Sequence, residues 1–310
     1  MCAESTAVFV IIVNFRTPTL TMSTLNAVLA SDLSTSTRLS ITVVDNSSND
    51  ASGALIEEAF PSVRLIRSDV NLGFAGGNNL ALREILAETE TDAKPDSVFV
   101  LLLNSDLIVE PTTLERCLTF MRYHPTAGVV GPQVRLPDGE LDLACRRGFP
   151  TPARAFWKLT GLSRVFPSTS RFTGYNLTHL PIDETIEIDS GTGAFMLVRL
   201  SAVRDVGLLD DDFFMYGEDL DWAYRIKQRG WKVWYIAEAT VMHLKGATTR
   251  RQSSLMIVEF YRAMWLFYRK HQSRQHGFLL DSVVLGGIVL RGLIAYGANA
   301  LRPSADRRVS

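Results

Sequence analysis

Short apolar runs alternate with helical segments through about the first hundred positions, and this alternation constrains the fold more than any other feature. Continuous runs such as VFVIIVNF (8–15) and VFVLLL (98–103) are typical of strands buried on both faces of a parallel sheet. Helical stretches of roughly ten residues separate them, which indicates βαβ units. The sequence therefore predicts an α/β fold with helices on both faces of a central sheet.

The pattern changes after Pro111. A helix comes first, then strands around a Pro-Asp-Gly turn and an irregular stretch at 143–180. Residues 184–207 are typical of a strand, a glycine-containing turn, a second strand and a helix, so we expect the sheet to resume in mixed form. A further helix is predicted to begin at about Glu218 and to stop at Gly230.

Composition narrows the functional classes. Hydrophobic residues make up 46% of the chain and charged residues 21%, as in ordinary folded proteins. A net charge of −1 argues against a dedicated nucleic-acid binder. The three cysteines lack the spacing of a zinc site or a disulfide framework, which favours a cytosol-facing location. No basic region precedes the first apolar run, so a signal peptide is not expected.

The C-terminal part combines positive charge with apolar sequence. Seven basic residues and one acid lie between Lys245 and Arg274, and an apolar segment follows at 277–301. Asp281 and Arg291 interrupt this segment, and an arginine at the centre of a bilayer costs about 2.5–3.5 kcal/mol on insertion scales. We expect an interfacial helix or helical hairpin, with a true membrane span or a soluble core helix as alternatives.

Polar residues follow three predicted strands, at the edge where open α/β sheets bind ligands. Asp45 follows the second strand and is weak evidence alone, because aspartate is common in turns, although its carboxylate could accept the N3–H of uracil or thymine. The segment 71–78 is neither a dinucleotide fingerprint nor a P-loop. It is either a plain turn into a helix or a backbone brought close to a nucleotide or sugar.

Asp106 ends an apolar strand, so its charge requires water, a hydrogen-bond donor or a cation. A divalent ion that carries diphosphate oxygens fits this position, and an N-cap for the helix after Pro111 is the alternative. His243 also ends a β-like run. From its position alone, His243 has a structural role as readily as a functional one.

Half of the twelve residues from Asp210 to Asp221 are acidic, and large apolar residues at 213–216 interrupt them. The dipole of the predicted helix favours acids in its first turn, but that effect does not explain the apolar run beside them. A carboxylate at a helix start, partly screened from water by aromatic rings, is suited to act as a general base.

These segments occur in one order: VNF, VVDNSS, NLGFAGGNN, LLNSD, GTGAFMLVR, FFMYGEDLDW and then His243. The series resembles the family 2 inverting glycosyltransferases of the GT-A fold, particularly the bacterial rhamnosyltransferase-like branch that acts on lipid-linked sugars. The resemblance covers about residues 8–250. It implies a Rossmann-like mixed sheet in a GT-A catalytic domain at 1–250, followed by membrane-associated helices at 251–310.

The resemblance also implies roles for the matching positions. Asp219 corresponds to the catalytic base, with Glu218 as the second candidate. Asp106 corresponds to the last acid of the family's DxD motif and would bind Mg²⁺ or Mn²⁺ with His243. Asn104 replaces the first acid of that motif, which implies a weaker hold on metal or ribose. The donor nucleotide-sugar would contact Asn14, Asp45, Asn71, Gly73, Gly76, Gly77, Asn78, Asn104 and Asp106.

Three residues are expected on the acceptor side, namely Trp157, Gly193 and Glu218. The basic, aromatic stretch 146–175 would form an acceptor-side lid whose cations suit the diphosphate of a polyprenyl-linked acceptor; a solvated basic loop is the alternative. In the implied mechanism Asp219 deprotonates the acceptor hydroxyl, which attacks the anomeric carbon with inversion.

The resemblance favours dTDP-L-rhamnose as donor and a lipid-linked or polysaccharide acceptor, but no residue excludes a UDP-sugar. It implies work in bacterial cell-envelope glycan synthesis at the cytoplasmic face of the inner membrane, as a peripheral or monotopic protein. A sugar-phosphate nucleotidyltransferase is a weaker alternative, because no glycine-rich basic loop follows the first strand. An inactive sugar-nucleotide-binding subunit is weaker too, because Asp106, Asp219 and His243 are all present.

Overall fold

A nine-stranded mixed sheet forms the centre of the computed structural model, which describes residues 5–90, 95–244 and 253–302. Its first part is parallel, with the strand order β3-β2-β1-β4, as the apolar runs predict. The elements of this part are β1 (Thr6–Asn14), α1 (Pro18–Leu29), β2 (Thr37–Asn46), α2 (Ser52–Ala59), β3 (Arg64–Ser68), α3 (Gly73–Glu88) and β4 (Val98–Asn104).

The second part has the strand order β4-β8-β6-β9-β5, with β7 beside β9. It confirms the predicted mixed form, because β6 and β9 pair in parallel and the other pairings are antiparallel. Its elements are β5 (Leu107–Val109), α4 (Thr113–Tyr123), β6 (Ala127–Arg135), α5 (Pro152–Leu159), α6 (Leu162–Val165), α7 (Ser170–Thr173), β7 (Ile186–Ile188), β8 (Phe195–Arg199), α8 (Leu200–Val206), α9 (Glu218–Gln228) and β9 (Lys232–His243).

The two central strands explain why the apolar runs are continuous. Helices cover both faces of the sheet, so every residue of Val8–Ile12 and of Val98–Leu103 is buried. Each large aliphatic side chain contributes about 1.5–3 kcal/mol on burial. The polar residues that end these strands therefore stand at a rigid edge.

Two local predictions are wrong. The stretch 143–180 is not irregular, since it contains α5, α6 and α7, which are too short to produce a clear hydrophobic period. The Pro-Asp-Gly turn does not join two full strands. Only the bridge between Arg135 and Leu141 forms after the turn, because Asp142 then caps a helical turn by accepting from the amide of Ala144.

The C-terminal helices α10 (Ser253–His271) and α11 (Phe278–Ala300) form an antiparallel hairpin. Asp281 lies in the first turn of α11 and accepts hydrogen bonds from Tyr268 at 2.6 Å and Ser273 at 2.8 Å. By length and composition α11 is the one helix of the described residues that could cross a membrane, with a mean hydropathy of 2.0. None of its most apolar stretch is buried, so the core-helix alternative is wrong.

Some predictions fall on residues outside those described. These are the domain boundary at 250/251, Cys2, and the part of the basic segment at 245–252. The other two cysteines, Cys117 and Cys145, are free and buried.

Candidate active site

The ends of β1 and β2 carry a buried polar cluster. Asn14 and Asp45 are register partners on these parallel strands, and the Asn14 amide donates to Asp45 Oδ1 at 3.0 Å and to Ser48 Oγ at 3.1 Å. The Ser48 hydroxyl also donates to the same Asp45 oxygen. Asp45 Oδ2 faces Gly53, where an added Cβ would lie 2.8 Å away. This arrangement fixes one carboxylate oxygen by hydrogen bonds and places the other against Gly53 of α2.

The loop before α3 is held by Asn46, a residue that the sequence reasoning missed. Its amide nitrogen donates to Asn71 Oδ1 at 3.1 Å and to the Gly73 carbonyl at 2.9 Å, and its Oδ1 accepts from the amide of Leu72. The signal was the Asp-Asn pair that ends VVDN. Asn46 therefore positions the loop on which Asn71 was predicted to bind donor.

Gly73 has a φ of +69°, and a Cβ there would lie 2.0 Å from the carbonyl oxygen of Phe214. The next amide, of Phe74, donates to that carbonyl at 2.8 Å. Only glycine fits this left-handed position against another backbone. Gly73 thereby brings the predicted donor-binding loop at 71–73 against the acidic, aromatic segment at 210–221.

The turn that the sequence predicted at Gly76, Gly77 and Asn78 does not form, because these residues lie within α3, which begins at Gly73. A Cβ at Gly77 would lie 3.0 Å from Val13, so the glycine allows close helix–strand packing. Asn78 is 1% exposed and donates to the Phe74 carbonyl one turn earlier. Their donor-binding role remains a prediction.

Asp106 and His243 lie side by side at the β5–β9 edge, where Leu107 pairs with His243. Asp106 Oδ1 is 3.2 Å from His243 Nε2, while Asp142 Oδ2 lies 3.5 Å from Nδ1. Burial lowers the pKa of His243, but hydrogen bonds and charge from both aspartates raise it to about 9. Asp106 does not cap α4, whose N-cap is Thr112, so the capping alternative is wrong.

These side chains fit a divalent ion that shares its coordination with a substrate diphosphate. Mg²⁺ is commonly held by one or two carboxylates together with phosphate oxygens, which matches the carboxylate of Asp106, and His243 would add a ring nitrogen. Asp142, which no sequence signal indicated, stands where a second carboxylate would orient a metal-binding imidazole. Within residues 5–90, 95–244 and 253–302 no group of three or more His, Cys, Asp or Glu side chains could hold a metal ion, so an ion here would need ligands from the substrate.

The acidic stretch is divided between structural and site-facing carboxylates. Asp210 and Asp212 both accept from Lys270 of α10, and Asp211 accepts from Asn79 at 2.6 Å. Asp221 is 1% exposed and binds Arg225 and His271, at 2.8 and 2.7 Å. The other two acids of the stretch, Glu218 and Asp219, face the site.

Asp219 is the second residue of α9 and is 8% exposed. Its Oδ2 accepts from Arg147 at 2.7 Å and from the Gly193 amide at 3.0 Å. The next residue, Ala194, accepts from the Asn104 amide at 2.8 Å. Two hydrogen bonds made by backbone groups, at Gly193 and Ala194, therefore connect the Asp219 carboxylate to the end of β4, two residues before Asp106.

Arg147 is a site residue to which the sequence reasoning gave no role beyond the basic stretch. Its side chain is 12% exposed, and its Nε has no hydrogen-bond partner among the described residues. Burial lowers the pKa of Arg147, but Asp219 and Tyr175 raise it above its ordinary value. The guanidinium therefore stays charged beside the carboxylate.

Glu218 is 5% exposed, and its Oε2 has no hydrogen-bond partner among the described residues. Burial, and then the charge of Asp219, raise the pKa of this carboxyl well above its ordinary value. Tyr216 at φ +69° and Gly217 at +82° precede it, and a left-handed tyrosine is strained. The strained turn directs a protonatable carboxyl towards the site.

Of the predicted acceptor residues, Gly193 lies with Asp219, and Trp157 lies apart. An added Cβ at Gly193 would be 3.4 Å from the Asp219 Cβ and 3.2 Å from the Phe74 ring. Trp157 packs edge-to-face with Phe172, at 5.1 Å between ring centroids. The structure thus joins Gly193, Glu218 and Asp219 and leaves Trp157 in the basic segment.

Polar groups at the carboxyl edge of a mixed sheet, with a buried carboxylate at a nearby helix start, define a nucleotide-sugar transferase site of the GT-A type. A model of the "Glycosyltransferase like family 2" matches residues 6–263. The chain therefore belongs to that family, which confirms the resemblance seen in the ordered segments.

Named relatives agree with this membership. The chain is 28% identical over 279 residues to the N-acetylglucosaminyl-diphospho-decaprenol L-rhamnosyltransferase of Mycobacterium tuberculosis, covering 89% of each protein. It is 27% identical over 179 residues to the rhamnosyltransferase WbbL of Escherichia coli, covering 55% of this chain and 60% of WbbL. It is also similar to the low-salt glycan biosynthesis hexosyltransferase Agl10 of Haloferax volcanii, at 23% identity.

Solved structures support the fold. A crystal structure of S. aureus TarS matches with a TM-score of 0.54 at 14% identity, over 92% of this chain and 43% of that chain. The 1–349 fragment of TarS in complex with UDP matches with the same TM-score, over 96% of this chain and 75% of the fragment. The GT-A fold predicted from the sequence is thereby confirmed.

Proposed function

We propose that this glycosyltransferase moves L-rhamnose from dTDP-L-rhamnose to a hydroxyl of a polyprenyl-diphosphate-linked sugar, with inversion at the anomeric carbon. The observation that carries the proposal is the placement of Asp219, a buried carboxylate that reaches the strand-end edge through Gly193 and Ala194. The rhamnosyltransferase relative that matches along 89% of the chain supports this choice of donor and acceptor.

In this mechanism Asp219 accepts the proton of the attacking hydroxyl. The carboxylate accepts hydrogen bonds from Arg147 and from the Gly193 amide, and hydrogen bonds of this charge-assisted kind are the strong ones. These partners also fix its direction, since the Gly193 amide cannot rotate away. A positioned base of this kind contributes about 10²–10⁴-fold to the rate.

Glu218 binds the acceptor rather than acting as the base. A buried carboxyl with a raised pKa is protonated at neutral pH, and its free oxygen can then donate or accept one hydrogen bond. A sugar hydroxyl beside Asp219 offers that partner. The two neighbouring carboxyls thus differ in charge and in role.

The donor nucleotide lies along the edge formed by Asn14, Asp45 and the Asn71–Gly73 loop. Asp45 Oδ2 accepts from the pyrimidine N3–H, while Asn14 and Ser48 hold the other oxygen. Asp106 and His243 would hold Mg²⁺ or Mn²⁺, which when bound neutralises charge on the departing diphosphate. Asp142 keeps the His243 ring in the orientation that this requires.

The C-terminal hairpin supports work at a membrane surface. Exposed apolar residues continue along α11, with Leu290 at 61% and Leu293 at 67% exposure, and Arg291 lies between them. We infer that the protein binds the cytoplasmic face of the inner membrane, where a lipid-linked acceptor of cell-envelope glycan synthesis is available.

The experiment is to measure nucleoside-diphosphate release from a panel of sugar nucleotides. Detergent-solubilised protein is supplied with lipid-linked N-acetylglucosamine, with and without Mn²⁺. Metal-dependent release from dTDP-L-rhamnose with formation of a disaccharide is the expected result. Release from a UDP-sugar instead would overturn the donor while leaving the mechanism. Release from no donor would contradict the proposed reaction.

A further inference from the structure

The six basic residues between 146 and 171 fall into two groups in the structure. Carbonyl oxygens or carboxylates of the fold bind one group, which consists of Arg146, Arg147 and Arg154. The other group consists of Lys158, Arg164 and Arg171. These three cations make no ion pair within residues 5–90, 95–244 and 253–302. Cations left without a counterion on one short segment indicate a place for an anion.

Lys158 connects the two groups. Its ammonium lies 4.3 Å from the ring centroid of Tyr175, whose carbonyl accepts from the Gly148 amide beside Arg147. The side chain is exposed overall, but the ring removes part of its water. That desolvation, and then the positive charges of Arg147 and Arg164, lower the pKa of Lys158 to about 8. An anion bound here would relieve this repulsion.

Arg147 has donors to spare. One Nη donates to Asp219 and to the Gly191 carbonyl, and the Tyr175 side chain is a further hydrogen-bond partner of the guanidinium. Nε is buried without a partner among the described residues. A guanidinium offers five N–H donors in a plane and binds oxyanions in a bidentate manner. An oxyanion placed between Arg147 and Lys158 would satisfy Nε and compete with Asp219 for the guanidinium.

The same segment exposes apolar side chains beside these cations. Phe156 is 53% exposed, Val165 is 68% exposed and Phe166 is 46% exposed. A ligand that joins a charged head to a hydrocarbon tail matches this surface better than a free anion does, because both kinds of contact lie on α5 and α6.

We propose that Arg147, Lys158 and Arg164 bind the diphosphate of the lipid-linked acceptor, and that this diphosphate draws Arg147 away from Asp219. The proposal rests on the proposed function and deepens it in two ways. First, the base is held in an ion pair with Arg147 until the acceptor arrives, which suppresses attack by water on the donor. Second, the diphosphate must lie about one sugar from the attacking hydroxyl, since Arg147 contacts both places. Ion pairs are exchanged and no covalent step is added.

The binding part is tested without any sugar transfer. Full-length protein in detergent is titrated with farnesyl diphosphate in EDTA, by calorimetry, alongside K158Q and R164Q. Each variant is expected to bind about tenfold more weakly, as for the loss of one charge-assisted contact. The control is R64Q. Arg64 is an exposed arginine on β3 that pairs with Glu84 of α3, so this variant should bind farnesyl diphosphate as the wild type does.

Farnesol is the second probe, and its binding should be the same in all four proteins. Equal affinity of wild type, K158Q and R164Q for farnesyl diphosphate would overturn the proposal, since the surface would then bind by apolar contact alone. Because this readout needs neither donor nor turnover, it distinguishes a wrong diphosphate site from a wrong reaction.

The role of Arg147 is tested with R147Q and R147K. In R147Q the ratio of donor hydrolysis to sugar transfer is expected to rise at least about tenfold, because Asp219 is no longer paired and can activate water. R147K keeps the charge and should lie closer to the wild type. Thermal unfolding establishes that each variant is folded. An unchanged ratio in folded R147Q contradicts the exchange of partners.

Discussion

Arg147 and Asp219 are 72 positions apart in sequence, and their side chains form an ion pair of 2.7 Å that is largely buried. The pair joins the basic segment at 146–175 to the first residues of α9. Removing one partner of such a pair leaves the other as an uncompensated charge, at a cost of about 3–5 kcal/mol. The carboxylate and the basic segment are therefore positioned together.

Asp219→Asn should abolish transfer, and because it leaves Arg147 without its carboxylate partner, activity is compared per folded molecule. The amide cannot take a proton, so kcat is expected to fall by about 10²–10⁴-fold. Asp221→Asn is the matched control two residues away, because its carboxylate binds Arg225 and His271. That variant should lower the melting temperature and keep most of the activity per folded molecule. The reverse outcome would assign the base to Asp221.

Glu218→Gln should remove a pH dependence of stability. The pKa of Glu218 is raised above its ordinary value of 4.5, so the folded state holds this proton more tightly than the unfolded state does. Its contribution to stability is complete below the ordinary pKa and is lost as pH rises through the raised pKa. Denaturant unfolding from about pH 5 to 8 should therefore show a smaller loss in the variant.

Glu57→Gln is the control for that measurement, since Glu57 is an exposed partner of Arg67. Its profile should follow the wild type. An E218Q profile parallel to the wild type would mean that Glu218 is ionised in the folded protein.

Asp106→Asn should weaken the dependence of activity on divalent ions. The amide is a poorer ligand for Mg²⁺ or Mn²⁺ than the carboxylate, so the Mn²⁺ concentration for half-maximal nucleotide release should rise. Asp142→Asn should raise it by about 10–100-fold, as for loss of an orienting carboxylate. Asp138→Asn, in the exposed turn nearby, should have no effect. If D142N behaves like D138N, Asp142 does not orient His243.

Gly73→Ala and Gly161→Ala separate backbone strain from a clash. Both glycines have positive φ, at +69° and +78°, so both variants lose about 1 kcal/mol from the left-handed conformation. Only at Gly73 would the added Cβ meet a carbonyl, that of Phe214 at 2.0 Å. G73A should therefore unfold at clearly lower denaturant and lose donor binding. Equal destabilisation would mean that the contact with Phe214 is easily displaced.

Leu290→Gln combined with Leu293→Gln should weaken binding to vesicles of anionic lipid. Burying a leucine contributes about 1.5–3 kcal/mol, so two losses should reduce partitioning by at least about a hundredfold. Leu55→Gln, at a leucine that is 45% exposed on α2, is the control in co-sedimentation. Unchanged partitioning of the double variant would remove α11 from the membrane contact.

The fold was predictable where one physical pattern dominates. Strands buried on both faces leave continuous apolar runs, and parallel strands bring their carboxyl ends to one edge. That is why Asp45, the segment 71–78 and the residues Asn104 to Asp106 could be placed at one edge before the structure. The ordered series of segments added the family, because each segment lies at a turn whose geometry needs those residue types.

The rest depends on contacts between distant parts of the chain. Asp142 meets His243 and Arg147 meets Asp219 only after the sheet has formed, and neither aspartate nor arginine carries a local signal for such a partner. The short helices within 143–180 were not predicted, because helices of one or two turns are too short to show a hydrophobic period in the sequence. Residue types alone could not distinguish the structural acids at 210–221 from the site-facing ones. The structural acids are those that bind Lys270 and His271 of α10, which are distant in sequence.

These contacts also connect α10 to the site. Lys270 donates to Asp210 and Asp212, and His271 pairs with Asp221, so α10 binds the same start of α9 that carries Asp219. Because α11 packs against α10 and packed helices lie about 8–10 Å apart, the proposed membrane contact of α11 would place Asp219 roughly two helix layers from the bilayer. The hairpin would then set the height above the lipid at which an acceptor hydroxyl can be glycosylated, and sugars held farther from the lipid would lie out of reach.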